Sequence, residues 1–473
     1  MNDYLVGRFL FPFSNYLFNR RDILKNYEYF YKSEYFPQEA LRKIQSEKLN
    51  NIIEYCYSNI PYYRKLFDRI SLDPRDIKSM EDIRHIPPLT RQNVIENHRD
   101  LVDSRMRSSI TVAEASKRGP GEPIPFGRFK NHKLVRNTSS GSTGAPTVFF
   151  EDGSRTALNW AYELRLKKWY GIEPGAREAR MARLSTAFLP ESRSLRLRKF
   201  IWHQMILPGT NLTDNDYAFS VERIRLFRPV SLWGYTSALT GLADYMKRYG
   251  EDFSPRTIRL TIAWAAPLYQ HEKALLEEVF RCPATNIYSA REVGHIAAIC
   301  PAGAFHINQE NLIVEGEKGK NGDSGNRELL VTNLDLSPMP FLRYKMGDIG
   351  AVGTDRCDCG RTLQVLSSLL GRTGEIFIAK DGRMISPNFW CRVFMSDRHA
   401  GQIRRFQVVY TKGKNLRITI VKGNGYSDEA ENYLKEMIRT NFSPDTRLEL
   451  EYVPEIKPHI SGKYQMVVNE AKA

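Results

Sequence analysis

The stretch SPRTIRLTIAWAAPLYQHEKALLEEVFRCPATNIYSARE, from Ser254 to Glu292, decides the fold. It reads as strand, loop, helix, strand and loop in succession, and alternation of that kind argues for an α/β sheet. Just upstream, RPVSLWGYTSALTGLADYMKRYG (228–250) gives strand, turn and helix. Downstream, the region 303–365 turns hairpin-like, with NRELLVTNLD and DIGAVGT. After GRTG (371–374) the character changes. RRFQVVY and LRITIV predict a hairpin around TKGKN. Ser427 is placed to cap the helix DEAENYLKEMIRTNF, whose acidic first turn suits the helix dipole, and a strand RLELEYV follows. This ββαβ unit has the size of a small separate domain, roughly 100 residues. The expected organisation is a large α/β domain over 1–370, helical in its first 100 residues, and a small α+β lid over 371–473, hinged near Gly371–Glu375.

In the helical part, LRKIQSEKLNNIIEYCYSNI spaces Leu41, Ile44, Leu49, Ile52, Ile53, Cys56 and Ile60 at helical intervals, with Pro61 as the stop. IPPLT (86–90) marks a turn, and 101–136 reads as an irregular connection. The 473 residues are 42% hydrophobic, enough for a core of several domains. No apolar run approaches the ~18 residues of a membrane span. At the N-terminus, MNDYLVGRFLFPFSNYLF is interrupted by Asp3 and Arg8, and no cleavage site of small residues follows, so no signal peptide is expected. That aromatic, basic segment is read as a buried helix, with weak contact to a membrane surface as the alternative. The net charge of +15 suits a solvated basic surface, an anionic substrate, a nucleotide or an anionic membrane surface. The basic residues are dispersed and no nucleic-acid motif occurs, so nucleic acid is excluded as a partner. Six scattered cysteines do not make a disulfide framework, which points to a reduced, cytoplasmic protein. The oligomeric state is not legible.

The chemistry-bearing residues begin with NTSSGSTGAPTVFF (137–150), a glycine and hydroxyl loop before a strand-like run. Backbone N–H groups in such a loop can cradle a phosphate, with Ser139, Ser140, Ser142 and Thr143 adding hydroxyl donors and Gly141 and Gly144 supplying the needed dihedrals. It is not a Walker loop, because no Gly-Lys-Ser/Thr ends it. NIYSAREVG (286–294) places Tyr288 four residues before Glu292. PFLRYKMGD (340–348) ends in Asp348, GRTGE (371–375) sits at the expected hinge, and SGKYQMVVN (461–469) carries Lys463 on a turn.

In this order the motifs resemble the adenylate-forming ligase superfamily, the acyl-CoA synthetases and adenylation domains. Within it they look most like the phenylacetate–coenzyme A ligase group and its CapK-type capsule-biosynthesis branch. NIIEYCYSNIPYYRKLF, CPAGAFHINQENLIVE and CDCGR are similar to that branch too, and the resemblance runs from about residue 40 to 469. It implies that residues 139–144 hold the ATP phosphates, and that Ala265, Ala266, Pro267, Tyr288 and Ser289 surround the adenine. Glu292 would help hold Mg²⁺, Asp348 the ribose hydroxyls, and Arg372 the ribose or phosphate. Lys463 would bridge the substrate carboxylate and the α-phosphate. Trp233, Tyr235 and His295 would contact the acid. The implied reaction adenylates a small-molecule carboxylic acid and passes the acyl group to coenzyme A or to an amine. The implied setting is polysaccharide or specialised-metabolite biosynthesis. Two other readings stand beside it: direct amide formation on an amine without coenzyme A, and a catalytically degenerate nucleotide-binding scaffold. Four positions depart from the usual pattern. Ser289 replaces a glycine, Thr147 a lysine and Ala266 an acid, while Gly374 stands at the hinge aspartate with Glu375 next.

Independently of the resemblance, Cys300 and His306 lie near each other, and Cys357 and Cys359 form a C-x-C pair about fifty residues on. Three thiolates and one imidazole would make a closed, structural zinc site.

Overall fold

The computed structural model describes residues 21–107, 134–138, 147–182, 202–253, 257–317, 325–353, 356–378, 384–394, 402–411, 415–423, 425–441, 446–456 and 466–470. The N-terminal part is helical, as its spacing predicts. Gln38–Asn59 buries Leu41, Leu49, Ile52, Ile53 and Cys56, with Gln45 rather than Ile44 completing the inward face. Its side-chain amide donates to the Leu312 carbonyl at 2.8 Å. Pro61 does more than stop this helix. It opens the next one, Pro61–Arg69, at the first-turn position, where a missing N–H costs nothing.

A short antiparallel hairpin follows, β1 (Val135–Thr138) and β2 (Val148–Glu151). Then come β3 (Glu178–Ala182), β4 (Gln204–Pro208), β5 (Ser231–Tyr235), β6 (Leu260–Trp264), β7 (Ala284–Ala290), β8 (Gly294–Ile299), β9 (Phe305–Ile307), β10 (Leu312–Gly316), β11 (Arg327–Asn333), β12 (Tyr344–Gly353) and β13 (Val365–Arg372). They form one sheet in the order β10-β11-β12-β13-β9-β8-β7-β6-β5-β3-β4. The β4-to-β7 half is parallel and joined through helices, including Asp214–Phe227, Thr236–Tyr249 and Gln270–Phe280. From β7 onward every pairing is antiparallel. The switch at β7 is the feature that positions the site. Brief strands such as LTIAW, buried from Leu260 to Ala263, fit the two-sided burial that a parallel sheet imposes.

Beyond β13, β14 (Phe377–Ile378) pairs β15 (Met384–Ile385), and the helix Pro387–Phe394 follows. β16 (Ile403–Tyr410), β17 (Leu416–Lys422), β18 (Leu448–Tyr452) and β19 (Val467–Asn469) make a second sheet ordered β18-β17-β16-β19. The expected hairpin is β16–β17. The helix Asp428–Asn441 is capped as read, the Ala430 N–H donating to Ser427 Oγ at 3.4 Å. This part has its own core around Trp390, Phe394, Phe406, Ile418 and Leu434.

Two buried ionic knots brace the large sheet. In one, Arg165 is paired with Glu310 and both are inaccessible to water. Beside it Glu34, also fully buried, accepts from Trp169 Nε1 at 2.7 Å and from Arg361 Nε at 3.1 Å. In the other, Glu178 and Glu163 flank Arg180, and Lys167 Nζ reaches Glu178 at 2.9 Å. Arg180 lies 4.4 Å from the Trp233 ring centre and 4.6 Å from that of Trp160, a cation between two aromatic faces. Among the described residues no helix is long and apolar enough to cross a membrane.

Candidate active site

Ligands of open α/β sheets bind outside the carboxyl ends of the parallel strands, at a point where the topology switches. Here that point is where β6 and β7 end. After Trp264 the chain turns through Ala265, which takes a left-handed φ of 66° unusual for a residue with a Cβ. Two side chains hold the turn. Asn286 Nδ2 donates to the carbonyls of Ala263 and Ala266, both at 3.1 Å, and Thr236 Oγ1 donates to the Ala266 carbonyl at 3.2 Å. Ala265, Ala266 and Pro267 are thereby presented as fixed main chain beside the end of β7.

The end of β7 carries Tyr288, whose hydroxyl donates to Asp348 Oδ2 at 2.7 Å. Burial, and then the Asp348 charge and hydrogen bond, push the Tyr288 hydroxyl well above its ordinary pKa, so it stays a neutral donor. Asp348 on β12 lies opposite Arg372 on β13 in the strand register, and Arg372 Nε stands 3.7 Å from Asp348 Oδ1. Burial works against the guanidinium charge, but Asp348, Glu375 and Glu292 outweigh it and hold Arg372 above its ordinary value. A β-bulge at Tyr288/Ser289 re-aims the following turn toward Glu292, where the Tyr344 hydroxyl donates to Glu292 Oε1 at 3.3 Å. Four residues picked out by resemblance, Tyr288, Glu292, Asp348 and Arg372, therefore converge from β7, β12 and β13, with Ser289 at the bulge among them.

The hairpin β1–β2 brings the two ends of the glycine and hydroxyl loop together, with Thr138 paired to Val148. Arg291 Nη1 donates to the Thr138 carbonyl at 2.7 Å, which fastens this hairpin to the Glu292 turn. Residues Ser139, Ser140, Gly141, Ser142, Thr143 and Gly144, and likewise Lys463, lie outside the described residues. On the C-terminal side of Lys463, Asn469 Nδ2 donates to the Ile376 carbonyl at 3.1 Å, beside the turn at 371–375. In that turn the Glu375 N–H donates to the Arg372 carbonyl at 2.9 Å, and Glu375 Oε2 accepts from the Arg372 N–H at 3.4 Å.

The three residues read as substrate contacts have different settings. Tyr235, at the end of β5, stacks on Trp264 with ring centres 5.5 Å apart and planes at 13°. Both adjoin the Ala265 turn. Trp233 is buried against Arg180, and His295 Nε2 lies 3.2 Å from Glu163 Oε1 in the same ionic knot. The sequence reading did not find Asn286, Thr236, Tyr344, Arg291 or Arg155. Arg155 Nη1 reaches the Glu292 carbonyl at 3.4 Å and its other arm pairs with Asp335 at 3.2 Å. Asn286 and Arg291 lie within NIYSAREVG and Tyr344 within PFLRYKMGD, so these three were within reach of a sequence argument, whereas Thr236 and Arg155 lie outside both motifs.

Cys300, His306, Cys357 and Cys359 also come together, all four ligand atoms lying within 4.8 Å of one another.

A family model described as the CapK C-terminal domain matches residues 377–470. A phenylacetate–coenzyme A ligase of Thermus thermophilus is 24% identical over 73% of this chain and 74% of its own length. Protein CapK of Staphylococcus aureus is 20% identical over 91% of this chain and 90% of its own. The fold superposes on 2-hydroxyisobutyryl-CoA ligase in its postadenylation state, at 18% identity, with a TM-score of 0.70 covering 93% of this chain and 92% of the other. The C-terminal part is thus similar to the CapK C-terminal domain, and the chain as a whole has the fold of that ligase. Against the same ligase in its thioesterification state the TM-score falls to 0.57.

Proposed function

We propose that this protein is an AMP-forming ligase that activates a small carboxylic acid with ATP and hands the acyl group to coenzyme A. The convergence of Tyr288, Asp348, Arg372 and Glu292 at the sheet switch is the observation that carries the reading. It offers an acceptor for ribose hydroxyls, a cation for a phosphate and a hard oxygen donor. Asp348 keeps its carboxylate aligned through Tyr288 and can accept from both ribose hydroxyls. The Ala265–Pro267 main chain and the Tyr288 ring confine the adenine, and Tyr235 with Trp264 walls the adjoining acyl site. Glu292 fits Mg²⁺, being a partly exposed carboxylate with Oε1 steadied by Tyr344. Bound there, the ion would neutralise phosphate charge.

In the first half-reaction the substrate carboxylate oxygen attacks the α-phosphorus and pyrophosphate leaves. Negative charge builds on both reacting groups, and Lys463, carried by the lid 371–473, is assigned to bridge them. In the second half-reaction the acceptor thiol attacks the acyl carbon, AMP leaves with the bonding pair, and the thiol proton is lost. A hinge at Gly371–Glu375 lets the lid turn between the two. At Gly371 the backbone φ is 115°, a conformation only glycine takes readily. Gly374 in place of an acid favours a second reading, in which the lid stays put and an amine takes the acyl group directly. We place the protein in a reducing, cytoplasmic setting, since its six cysteines are free, and in surface-polysaccharide or related biosynthesis.

The test is acid-dependent exchange of labelled pyrophosphate into ATP. Exchange should appear with the cognate acid from a panel and fall at least a thousandfold in Lys463→Ala. Survival of exchange in that variant removes the lysine assignment. Absence of exchange and of AMP release across the panel removes the enzyme assignment in favour of a scaffold. Supplying coenzyme A and amines in parallel decides the acceptor.

A further inference from the structure

We propose that Cys300, His306, Cys357 and Cys359 bind one Zn²⁺ ion in a closed tetrahedral site that clamps the approach to β13. None of the four belongs to the set assigned to the nucleotide, the Mg²⁺ or the acid. The four groups come from distant points in the chain. Cys300 lies just past β8, His306 on β9, and the C-x-C pair on the segment leading into β13. Cys300 Sγ and Cys357 Sγ are 3.6 Å apart, and His306 Nε2 and Cys359 Sγ are 3.1 Å apart. Zinc–sulfur bonds of about 2.3 Å and zinc–nitrogen bonds of about 2.0 Å give tetrahedral edges of roughly 3.5–3.8 Å, so the Cys300–Cys357 pair already stands at coordination spacing and no pair of the four atoms lies beyond 4.8 Å. A disulfide, with sulfurs about 2.05 Å apart, does not describe the Cys300–Cys357 pair.

The imidazole is prepared for a metal. His306 Nδ1 stands 3.1 Å from the Leu363 carbonyl, which can only accept, so Nδ1 carries the proton and Nε2 turns its lone pair toward the cysteines. Cys300 and His306 are buried and Cys357 and Cys359 half-buried, and a full set of four protein ligands suits a structural ion. Three thiolates with one zinc ion leave a net charge of −1, and the Arg361 guanidinium lies beside Cys359 to meet it.

The clamp has something to hold. β13 pairs with β9 at Val365↔His306, so the ion would sit at the beginning of the strand that ends in Arg372. The same segment is sewn to the N-terminal helices, since the Thr362 N–H donates to the Glu34 carbonyl at 2.9 Å and Arg361 reaches the Glu34 carboxylate.

The experiment is elemental analysis of the full chain, purified without chelator or metal-affinity resin from zinc-supplemented medium. One zinc per chain is expected. Cys282→Ser should retain it, and Cys357→Ser with Cys359→Ser should lose it. To remain independent of variant folding, wild-type protein is titrated with a mercurial while a dye reports released metal. Zinc should appear in step with the thiols modified, and the thermal midpoint should fall. Replacement by Co²⁺ should give the absorption of a tetrahedral thiolate site. Wild-type protein that contains no metal, or iron instead, and gains no zinc on incubation overturns the proposal whether or not the chain proves to be a ligase.

Discussion

Replacing Asp348 by Asn keeps the shape of the side chain and removes its charge. The hydroxyl of Tyr288 still finds an oxygen at the position that now receives a 2.7 Å bond. What is lost is a charged acceptor for the ribose and the partner that stands 3.7 Å from Arg372. Hydrogen bonds to charged groups contribute about 1.5–3 kcal/mol, against about 0.5–1.5 for neutral pairs. Arg372 is half exposed, so its ion pair adds little that solvent does not already screen. The loss in kcat/KM for ATP should therefore be about 1–1.5 kcal/mol for each ribose bond, roughly five- to twelvefold at about 1.4 kcal/mol per factor of ten. The assay is pyrophosphate exchange at varied ATP. Tyr288→Phe deletes the donor while keeping the ring, and should cost less. Because the tyrosine hydroxyl acts through the carboxylate, its removal in an Asp348→Asn background should cost little more, a coupling that a double-mutant cycle reads. Fully additive effects, or an unchanged KM for ATP in folded Asp348→Asn, would refute the reasoning.

Two further outcomes concern stability. Glu272 accepts from the Tyr269 N–H at 3.0 Å, and burial pushes its carboxyl up to about 7. The folded state thus holds a proton between the ordinary carboxylate range and about pH 7 that the unfolded chain has released. Its contribution is full below that range and is lost as pH rises through about 7. Part of the side chain still meets water, so the loss stays below about 3 kcal/mol, and melting curves should show Glu272→Gln flattening this slope. Glu178 is opposite in sign. Burial disfavours its charge, but Arg180 and Lys167 outweigh it and draw the carboxyl down to about 2. Glu178→Gln should leave both cations short of a partner and cost about 3–5 kcal/mol in denaturant unfolding at neutral pH. Unchanged stability would mean that the knot relaxes around the loss.

The alternation of strands and helices from Ser231 to Ala290 was readable because each parallel strand is brief, apolar and bounded by turns. The small sheet was readable for a related reason: β16 and β17 alternate around a polar turn, and Ser427 announces its helix. Tyr288, Asp348 and Arg372 were found through motifs, yet nothing in the spacing says that β12 and β13 pair to set Asp348 against Arg372. Register is a tertiary property. Strand β1 was missed because VRNT is four residues with no alternation, and pairing with β2 makes it a strand. Arg165 and Glu178 look like ordinary helix and strand-edge charges in sequence. Only the fold shows them buried and paired.

The seam around Glu34 bears on how this protein can be cut. Glu34, out of contact with water, joins Trp169, the last residue of the helix Gly153–Trp169, to Arg361 beside the cysteine cluster. A shortened version beginning after Gln38 would strand a guanidinium and an indole N–H in the interior. Such trimming should yield insoluble material, so the first helices belong in any fragment meant to carry the proposed nucleotide cleft.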